Sequence, residues 1–320
     1  MLAELSEDGG LTRLTLELMG LGAHLASDLG GELEAVLLGD DKRGAAQELA
    51  SLGARRVYAA NYPSLQTYNP DVYMEVLQRL LRGEGSFTLL AGHTPVCQDL
   101  MPRLAFAFDA GLVTDCVGIE SGSPGEGPVF IKPIFGGNAL ASQVVKTPRR
   151  IATVRARVGT APLPATSAGE VVGLEPPSAE PLLKILERTM EEKGVKLEDS
   201  SVVVSGGRGM GGAEGFQALE ELATLLGGAV GASRPPCDSG WVPASAQVGI
   251  TGKIVAPDLY FAVAISGSSQ HLSGMSASGK IVAINQDPGA FIFKVADYGA
   301  VGDWRRVLPA LAEALKRYVE

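Results

Sequence analysis

Short apolar runs rich in β-branched residues alternate with amphipathic stretches from Leu33 to Val158. This alternation is typical of a parallel sheet covered by helices. It predicts strands at Leu33–Leu38, Arg56–Ala60, Phe87–Ala91, Thr114–Ile119 and Val129–Phe135, and helices at Asp71–Leu81 and Asp99–Phe108. The dipeptide Asn69-Pro70 provides a start for the first of these helices.

The pattern changes after residue 128. PVFIKPIFGGNALASQVVK and then RRIATVRA read as consecutive strands, which predicts that the sheet gains antiparallel strands there. Gly159–Pro181 concentrates Pro, Ala, Gly and Ser without apolar periodicity and is predicted to be a linker. A helix is predicted at Pro181–Glu192, and Glu198–Ser200 introduces a new strand. We therefore predict an N-terminal α/β domain over 1–189 and a second domain over 190–320.

The second domain repeats the strand-turn-helix pattern with more glycine. Its predicted strands are SVVVSG, AVGASR, DLYFAVAIS, KIVAINQ and FKVAD, and its helices are GFQALEELATLLG and DWRRVLPALAEALKRY. A chain of 320 residues is longer than one hydrophobic core usually organises. The predicted fold class is therefore α/β, with two domains that are each a largely parallel sheet covered by helices.

A glycine-rich turn follows the first strand of the second domain. Gly207-x-Gly209-x-x-Gly212 has the spacing of a dinucleotide turn, in which the backbone comes close to a diphosphate. An acid that would hold a nicotinamide ribose is expected about 20 residues further on. Ser233 and Arg234 occupy that neighbourhood instead, which disfavours a plain NAD site. Two alternatives stay open, an NAD-linked dehydrogenase that uses this turn and a non-redox nucleotide-binding sensor.

Polar residues also follow other predicted strands. Gln247–Lys253 forms a glycine-flanked polar turn, and Ser266–His271 follows the apolar run Leu259–Ile265. Ligands of open α/β sheets bind outside the carboxyl ends of the strands. These segments are therefore candidates for a binding site.

Composition narrows the classes of function. A net charge of −9 and a pI near 5.0 give no field that attracts nucleic acid. The three cysteines lack CxxC spacing and only three histidines are present, so neither a disulfide framework nor a metal site is expected. No signal peptide or membrane span is recognised, and we expect a cytoplasmic protein that is not embedded in a membrane.

The stretches GASR, QVGITGKIVAPDLYFAVAISGSSQHLSGM and KIVAINQDP resemble the FAD-binding region of the electron transfer flavoprotein α subunit family. LMPRLAFAFDAGLVTD and PIFGGNALA resemble the first domain of that family. The resemblance implies a Rossmann-like FAD-binding second domain, and a β subunit that packs on the first domain to form a heterodimer. It also implies an electron carrier without a substrate reaction of its own.

The resemblance implies the electron partners as well. The donors would be dehydrogenases such as the acyl-CoA dehydrogenases of fatty acid β-oxidation, and the acceptor a membrane quinone oxidoreductase. It leaves open whether the carrier does ordinary transfer or bifurcation, and whether the β subunit binds AMP or a second FAD.

Individual residues match the family's cofactor contacts, and none of them is expected to be catalytic. Arg234 matches an arginine over the isoalloxazine, Thr251 a hydroxyl bonded to flavin N5, and His271 a donor near the pyrimidine carbonyl. The sequence departs from the family at Ile250 and Ser269, where glutamine and an aliphatic residue are common. The full set of expected cofactor-binding residues is Arg208, Ser233, Arg234, Gln247, Val248, Gly249, Ile250, Thr251, Ser266, Gly267, Ser268, Ser269, Gln270, His271, Asn285, Asp303 and Trp304.

Overall fold

A computed structural model describes residues 1–6, 8–39, 44–122, 127–137, 139–165, 167–178, 181–187, 197–198 and 200–319. The chain divides into two compact units. Unit 1 comprises Met1–Ile134 and Ala139–Arg188, and unit 2 comprises Phe135–Asn138 and Thr189–Glu320. The predicted domain boundary between 189 and 190 lies outside the described residues.

Unit 1 alternates strands with helices along most of its length. Its elements are β1 Leu2–Ala3, α1 Arg13–Asp28, β2 Glu34–Gly39, α2 Ala45–Ser51, β3 Arg56–Asn61, α3 Pro70–Leu81, β4 Phe87–Gly92, α4 Pro95–Phe108, β5 Gly111–Cys116, β6 Gly118–Glu120, β7 Val129–Ile134, β8 Ala139–Val144, β9 Arg149–Val154 and β10 Glu170–Gly173. Two sheets are parallel, in the orders β1-β2-β3-β10 and β4-β9-β5, and a third, β6-β7-β8, is antiparallel.

Helix α3 illustrates how local sequence sets an element. Asn69 caps the helix by accepting a hydrogen bond from the amide of Asp71, and Pro70 occupies the first turn, where no backbone donor is needed. Val72, Val76 and Leu77 recur at helical spacing and are buried against the sheet. The predicted start of this helix is therefore confirmed.

Four predicted strands of unit 1 coincide with β2, β3, β4 and β7, to within one residue at each end. The predicted strand Thr114–Ile119 is wrong in extent, because β5 begins at Gly111 and a separate β6 follows it. Helix α4 begins earlier than predicted, since Thr94 caps it. The antiparallel strands exist, but they form their own sheet, whereas β9 pairs in parallel between β4 and β5.

Two further predictions for unit 1 need correction. The predicted linker Gly159–Pro181 contains β10, which extends the first sheet by pairing with β3. The predicted helix Pro181–Glu192 is not helical over 181–187, and its remaining residues lie outside the described ranges. One reason is that its backbone groups have partners elsewhere. The Leu182 amide donates a hydrogen bond to the Asp71 carboxylate, and the Asn69 side-chain amide donates one to the Leu183 carbonyl.

Unit 2 is built around a five-stranded parallel sheet in the order β12-β11-β13-β14-β15. Its elements are β11 Val202–Gly206, α5 Ala213–Leu225, β12 Ala229–Ala232, α6 Arg234–Asp238, β13 Leu259–Val263, α7 Ser269–Leu272, β14 Lys280–Asn285, β15 Tyr298–Val301 and α8 Trp304–Val319. The last predicted strand, FKVAD, is wrong, because Phe291–Lys294 forms a 3-10 turn and the strand comes at Tyr298.

The central strand β13 is buried on both faces. Tyr260 and Ala262 point into one apolar cluster, and Phe261 and Val263 point into a second cluster. This double burial is typical of a parallel sheet covered on both sides. Within the part of the chain that the structure describes, no helix is long and apolar enough to cross a membrane.

Burial in unit 1 predicts a contrast between two leucines. Leu104 of α4 is 0% exposed, whereas Leu163 is 87% exposed. We expect Leu104→Ala to lower the free energy of unfolding by about 2–5 kcal/mol, because it removes apolar contacts and leaves a cavity. Leu163→Ala should change the free energy by less than about 0.5 kcal/mol. Urea titration followed by circular dichroism measures both, and equal losses would contradict the burial described here.

Candidate functional site

A cleft of unit 2 lies where the strand order reverses. From β11 the chain passes to β12 on one side and later returns to β13 on the other side. The turns that leave β11 and β13 therefore diverge and open a crevice at the carboxyl edge, which is where doubly wound sheets bind ligands. The crevice has a volume of about 530 Å³, within the usual range for a small-molecule site.

Most of the predicted cofactor residues line this cleft. They are Arg208, Ser233, Arg234, Gln247, Val248, Gly249, Ile250, Thr251, Ser266, Gly267, Ser268, Gln270, His271, Asn285 and Trp304. Ser269 and Asp303 do not belong to the lining. The structure thus brings together residues that are up to 96 positions apart in sequence, from Arg208 to Trp304. Their contacts with a cofactor stay predictions.

Close backbone packing forms the inner wall of the cleft. A Cβ atom on Gly207 would lie 2.0 Å from the carbonyl oxygen of Ala264, and one on Gly209 would lie 2.9 Å from the Ala264 Cβ. The Gly207 amide also donates to the Val263 carbonyl. A Cβ on Gly212, by contrast, would meet nothing within 4 Å. The first two glycines of the motif are therefore needed for packing, and the third is not.

The loop after β13 has its own glycine requirement. Gly267 has a φ of +86°, which favours glycine, and a Cβ there would lie 2.4 Å from the Ile292 amide nitrogen. The Ile292 amide donates to the carbonyl of Ser266. Together these contacts hold the Ser266–Ser268 segment against the cleft with its hydroxyl residues in the lining.

The polar turn 247–253 forms the opposite wall. Its backbone closes on itself through hydrogen bonds from Lys253 to the Gln247 carbonyl and from Gly249 to the Lys253 carbonyl. The Ile250 amide donates to the carbonyl of Gln270 at 2.9 Å, and the Ile250 side chain is 59% exposed. The Ile250 amide hydrogen is thus already bonded within the protein, which leaves its carbonyl group for any backbone contact with a ligand.

Gln247 sets the orientation of the Thr251 hydroxyl. The Gln247 Nε2 donates to Thr251 Oγ1 at 2.9 Å. A hydroxyl that accepts one hydrogen bond retains its own hydrogen for a second partner. Thr251 can therefore donate into the cleft, as its predicted contact with a ring nitrogen requires.

Two arginines place positive charge at the cleft. Arg234 begins α6 and lies 3.1 Å from Asp238, and both side chains are more than 60% exposed. Arg208 lies in the 3-10 turn after β11. Exposed ion pairs of this kind are weak, so the Asp238 pairing does not prevent Arg234 from turning toward a bound anion.

His271 lines the cleft and also makes hydrogen bonds within the protein. The ring is 3% exposed, with Nδ1 3.0 Å from the Val248 carbonyl and Nε2 2.9 Å from the Tyr260 hydroxyl. Burial lowers the pKa of His271 to about 4, so the imidazole is neutral at pH 7. Because both ring nitrogens already have protein partners, the predicted donation to a pyrimidine carbonyl requires one of these bonds to be exchanged.

The last four predicted residues are Asn285 and Trp304, which line the cleft, and Asp303 and Ser269, which do not. Asn285 donates to the Ile265 carbonyl, and the Trp304 indole donates to the Gly209 carbonyl at 3.1 Å. The Asp303 carboxylate accepts from the Arg305 amide at the start of α8, which holds the pKa of Asp303 below its usual range. Ser269 donates to the side-chain oxygen of Gln270. All four residues thus have hydrogen bonds within the protein, but only Asn285 and Trp304 belong to the lining.

The sequence analysis did not name several residues of the lining, nor Tyr260, whose hydroxyl lies 2.9 Å from His271 Nε2. The additional lining residues are Pro235, Ala264, Ile265, Ile284, Gln286 and Gly302, whereas Gly209 lines the cleft as part of the predicted dinucleotide turn. Ala264, Ile265, Ile284 and Gln286 lie within the last three residues of the predicted strands DLYFAVAIS and KIVAINQ, so the strand ends already pointed to them. Gly302 follows β15, whose position the sequence analysis did not predict. Tyr260 lies in the middle of an apolar strand, and its pairing with His271 leaves no sequence signal.

Chemically reactive side chains of unit 1 are engaged in internal contacts. His93 Nδ1 lies 2.8 Å from Thr153 Oγ1, and burial lowers the pKa of His93. Burial raises the pKa of the Cys97 and Cys116 thiols, which keeps both protonated. In the described ranges, no group of three or more His, Cys, Asp or Glu could hold a metal ion.

A parallel sheet with a polar, arginine-bearing cleft at its switch point defines a protein of the class that binds a nucleotide cofactor. Residues 1–179 match the family described as the electron transfer flavoprotein domain, and residues 196–276 match the electron transfer flavoprotein FAD-binding domain. The chain therefore belongs to the electron transfer flavoprotein α family.

Similar proteins cover nearly the whole chain. The electron transfer flavoprotein subunit alpha of Megasphaera elsdenii is 42% identical, over 97% of this chain and 94% of the relative. The subunit alpha of Bacillus subtilis is 40% identical, over 97% of this chain and 95% of the relative. A third relative, the lactate dehydrogenase (NAD(+),ferredoxin) subunit LctC of Acetobacterium woodii, is 33% identical, over 95% of this chain and 73% of the relative.

FAD is the cofactor of this family's second domain. The cleft suits it chemically, because hydroxyl donors from Thr251, Ser266 and Ser268 occur together with the guanidinium groups of Arg208 and Arg234. Such donors bind a diphosphate and a polar ring edge. Most of the lining lies within 196–276, whereas Asn285 and Trp304 lie beyond the matched segment.

The glycine packing predicts a difference between two alanine variants. We expect Gly207→Ala to weaken FAD binding by at least about tenfold, because the added methyl must displace the Ala264 backbone. Gly212→Ala is the matched control in the same turn and should bind FAD like the wild type. The FAD is removed from each variant and titrated back while flavin fluorescence is followed, which measures both affinities. Equal affinities would show that the turn does not shape the site.

Proposed function

We propose that this chain is the FAD-holding subunit of a heterodimeric electron carrier, with a homologous β subunit as its permanent partner. The observation that carries the proposal is that the segment matching the FAD-binding family domain supplies most of the cleft at the β11–β13 switch point. The relatives named subunit alpha support a multi-subunit assembly.

The residues of the cleft have binding and tuning roles in this proposal. FAD supplies the capacity to take up and release electrons. Arg234 provides a positive charge that favours the reduced, more negative flavin, and Thr251 donates a hydrogen bond to the ring. We assign no general acid, general base or nucleophile, since the protein carries out no substrate reaction of its own.

The partners follow from the family resemblance. We propose that dehydrogenases such as those that oxidise acyl-CoA reduce the flavin, and that a membrane quinone oxidoreductase reoxidises it. Unit 1 would contribute the surface that holds the β subunit. We place the protein in the cytoplasm, an assignment that its three free cysteines support.

A second function has a specific observation behind it. The relative from Acetobacterium woodii is a subunit of a lactate dehydrogenase that uses NAD(+) and ferredoxin. This chain could serve in a complex that divides electrons between two acceptors. An NAD-linked dehydrogenase on the Gly207 turn and a non-redox sensor are weaker alternatives, since family membership counts against both. Ser233 and Arg234, which stand where the ribose acid is expected, count further against the dehydrogenase.

Co-expression with the β subunit tests these proposals together. We expect a stable heterodimer with one FAD that an acyl-CoA dehydrogenase reduces in the presence of its substrate. Two flavins per heterodimer and reduction by NADH would favour the electron-dividing complex. A colourless heterodimer would refute the proposed function, and NADH formation by the isolated chain would revive the dehydrogenase alternative.

The charge of Arg234 predicts a shift in reduction potential. We expect Arg234→Ala to retain FAD but to lower its midpoint potential by about 20–30 mV, because a positive charge near the ring is lost. Arg317→Ala is the control, since Arg317 is an exposed arginine at the far end of α8. Spectroelectrochemical titration measures both potentials. If Arg234→Ala leaves the potential unchanged, the guanidinium does not act on the flavin.

A further inference from the structure

Unit 1 has a strand reversal of its own. β2 pairs in parallel with β1, and after α3 the chain returns as β4, which lies next to β1. Glu4 directly follows β1, and Thr94 lies two residues after the end of β4. Doubly wound sheets bind ligands at the carboxyl edge where the chain reverses in this way. Unit 1 therefore contains the kind of place at which unit 2 opens its cleft.

The side chain of Glu4 lies at this place. The Thr94 hydroxyl lies 2.9 and 3.0 Å from its two carboxyl oxygens, and the Cys97 thiol donates to Oε1 at 3.3 Å. Thr94 is also the cap of α4, since its hydroxyl oxygen accepts from the Cys97 amide. The start of a helix binds phosphate groups, because its amides and its dipole favour negative charge. The Glu4 carboxyl group therefore occupies the position that an anion would take.

The surrounding chain holds Glu4 in this position. Its amide donates to Thr15 Oγ1 at 2.8 Å, and the Thr15 hydroxyl donates back to the Glu4 carbonyl at 2.9 Å. Pairing between Leu5 and Leu11 closes the turn that follows. A Cβ on Gly92 of β4 would lie 3.0 Å from Glu4 Oε1, so the glycine leaves room for the acid. Glu4 is thus fixed through both its backbone and its side chain.

The two units place opposite charges at their strand ends. In unit 2, Arg208 lies in the turn after β11 and Arg234 begins α6 after β12. These guanidinium groups attract an anion, whereas in unit 1 the first residue after β1 is an acid. Burial raises the pKa of Glu4. The side chain fills the same room whether or not it is ionised.

We propose that Glu4 closes the crevice of unit 1 to nucleotides, by occupying the position at the start of α4 that a phosphate group would otherwise take. Glu4 then acts as a specificity residue of the whole chain, because it leaves unit 2 as the unit that accepts a dinucleotide. This role is independent of which nucleotide unit 2 binds.

Inorganic phosphate is the probe that tests this role in the full-length protein. Amide hydrogen exchange of the segment Val96–Gln98, measured by mass spectrometry at constant ionic strength, reports on the start of α4. We expect phosphate to leave this exchange unchanged in the wild type. In Glu4→Ala, exchange should be about tenfold faster, because Thr94 and Cys97 lose a partner. Phosphate should then slow it by at least about threefold.

Two results would overturn the proposal. One is protection of Val96–Gln98 by phosphate in the wild type, which would mean that the crevice is open. The other is a folded Glu4→Ala that phosphate does not protect, since the vacated position would then not suit an anion. Glu4→Ser opens similar room but keeps a hydroxyl beside Thr94, and it replaces Glu4→Ala if that variant does not fold.

Two further variants separate the volume of the side chain from its charge. Glu4→Gln keeps the length of the side chain without the charge, and we expect it to show no response to phosphate. A response as large as that of Glu4→Ala would overturn the proposal, because charge alone would then exclude the anion. Glu214→Ala is the matched control, since it removes an exposed acid from the first turn of α5 and should not alter exchange at α4.

The outcome is separable from that of the proposed function. Flavin content is measured on the same wild-type preparation, and its absence would refute the proposed function. Exchange at α4 reports on unit 1 alone, so it would still support or overturn the role of Glu4 in a preparation without flavin.

Discussion

The cleft exists because β12 and β13 pair with β11 on opposite sides. The turn that follows β11 also packs backbone to backbone against the turn that follows β13. Gly207 meets the carbonyl of Ala264 with no room for a side chain. The diverging turns then expose polar groups at the carboxyl edge of a sheet whose two faces are otherwise buried. This edge is where doubly wound sheets bind dinucleotides.

The polar part of unit 2 is divided between two environments. Arg208 and Arg234 lie at the cleft in contact with solvent, so their charges are easily available and individually weak. His271 and Tyr260 lie in the interior, where a hydrogen bond is costly to lose. The exposed charges are accessible to a bound ligand, whereas the buried pair is fixed within the interior of the unit.

Much of the fold was predictable from local pattern. The apolar runs located β2, β3, β4 and β7, and Asn69-Pro70 located the start of α3, because capping and alternation are local properties. Pairing between distant segments was not predictable. Nothing in the sequence shows that Glu170–Gly173 adds to the edge of β3, or that β9 inserts between β4 and β5. The candidate site followed the same rule: most lining residues came from strand ends and family resemblance, whereas the internal bonds of Asp303, Ser269 and His271 required the structure.

The walls of the cleft come from turns that begin at Arg208 and end at Trp304. They meet only after all five parallel strands have paired, and parallel pairing across long intervening segments is a slow event in folding. A nascent chain that stops before Trp304 has no complete cleft, whatever structure its earlier strands have reached. The complete cleft is therefore available to a flavin only once the residues up to Trp304 are in place, and a flavin bound there adds its binding free energy to the stability of the folded unit.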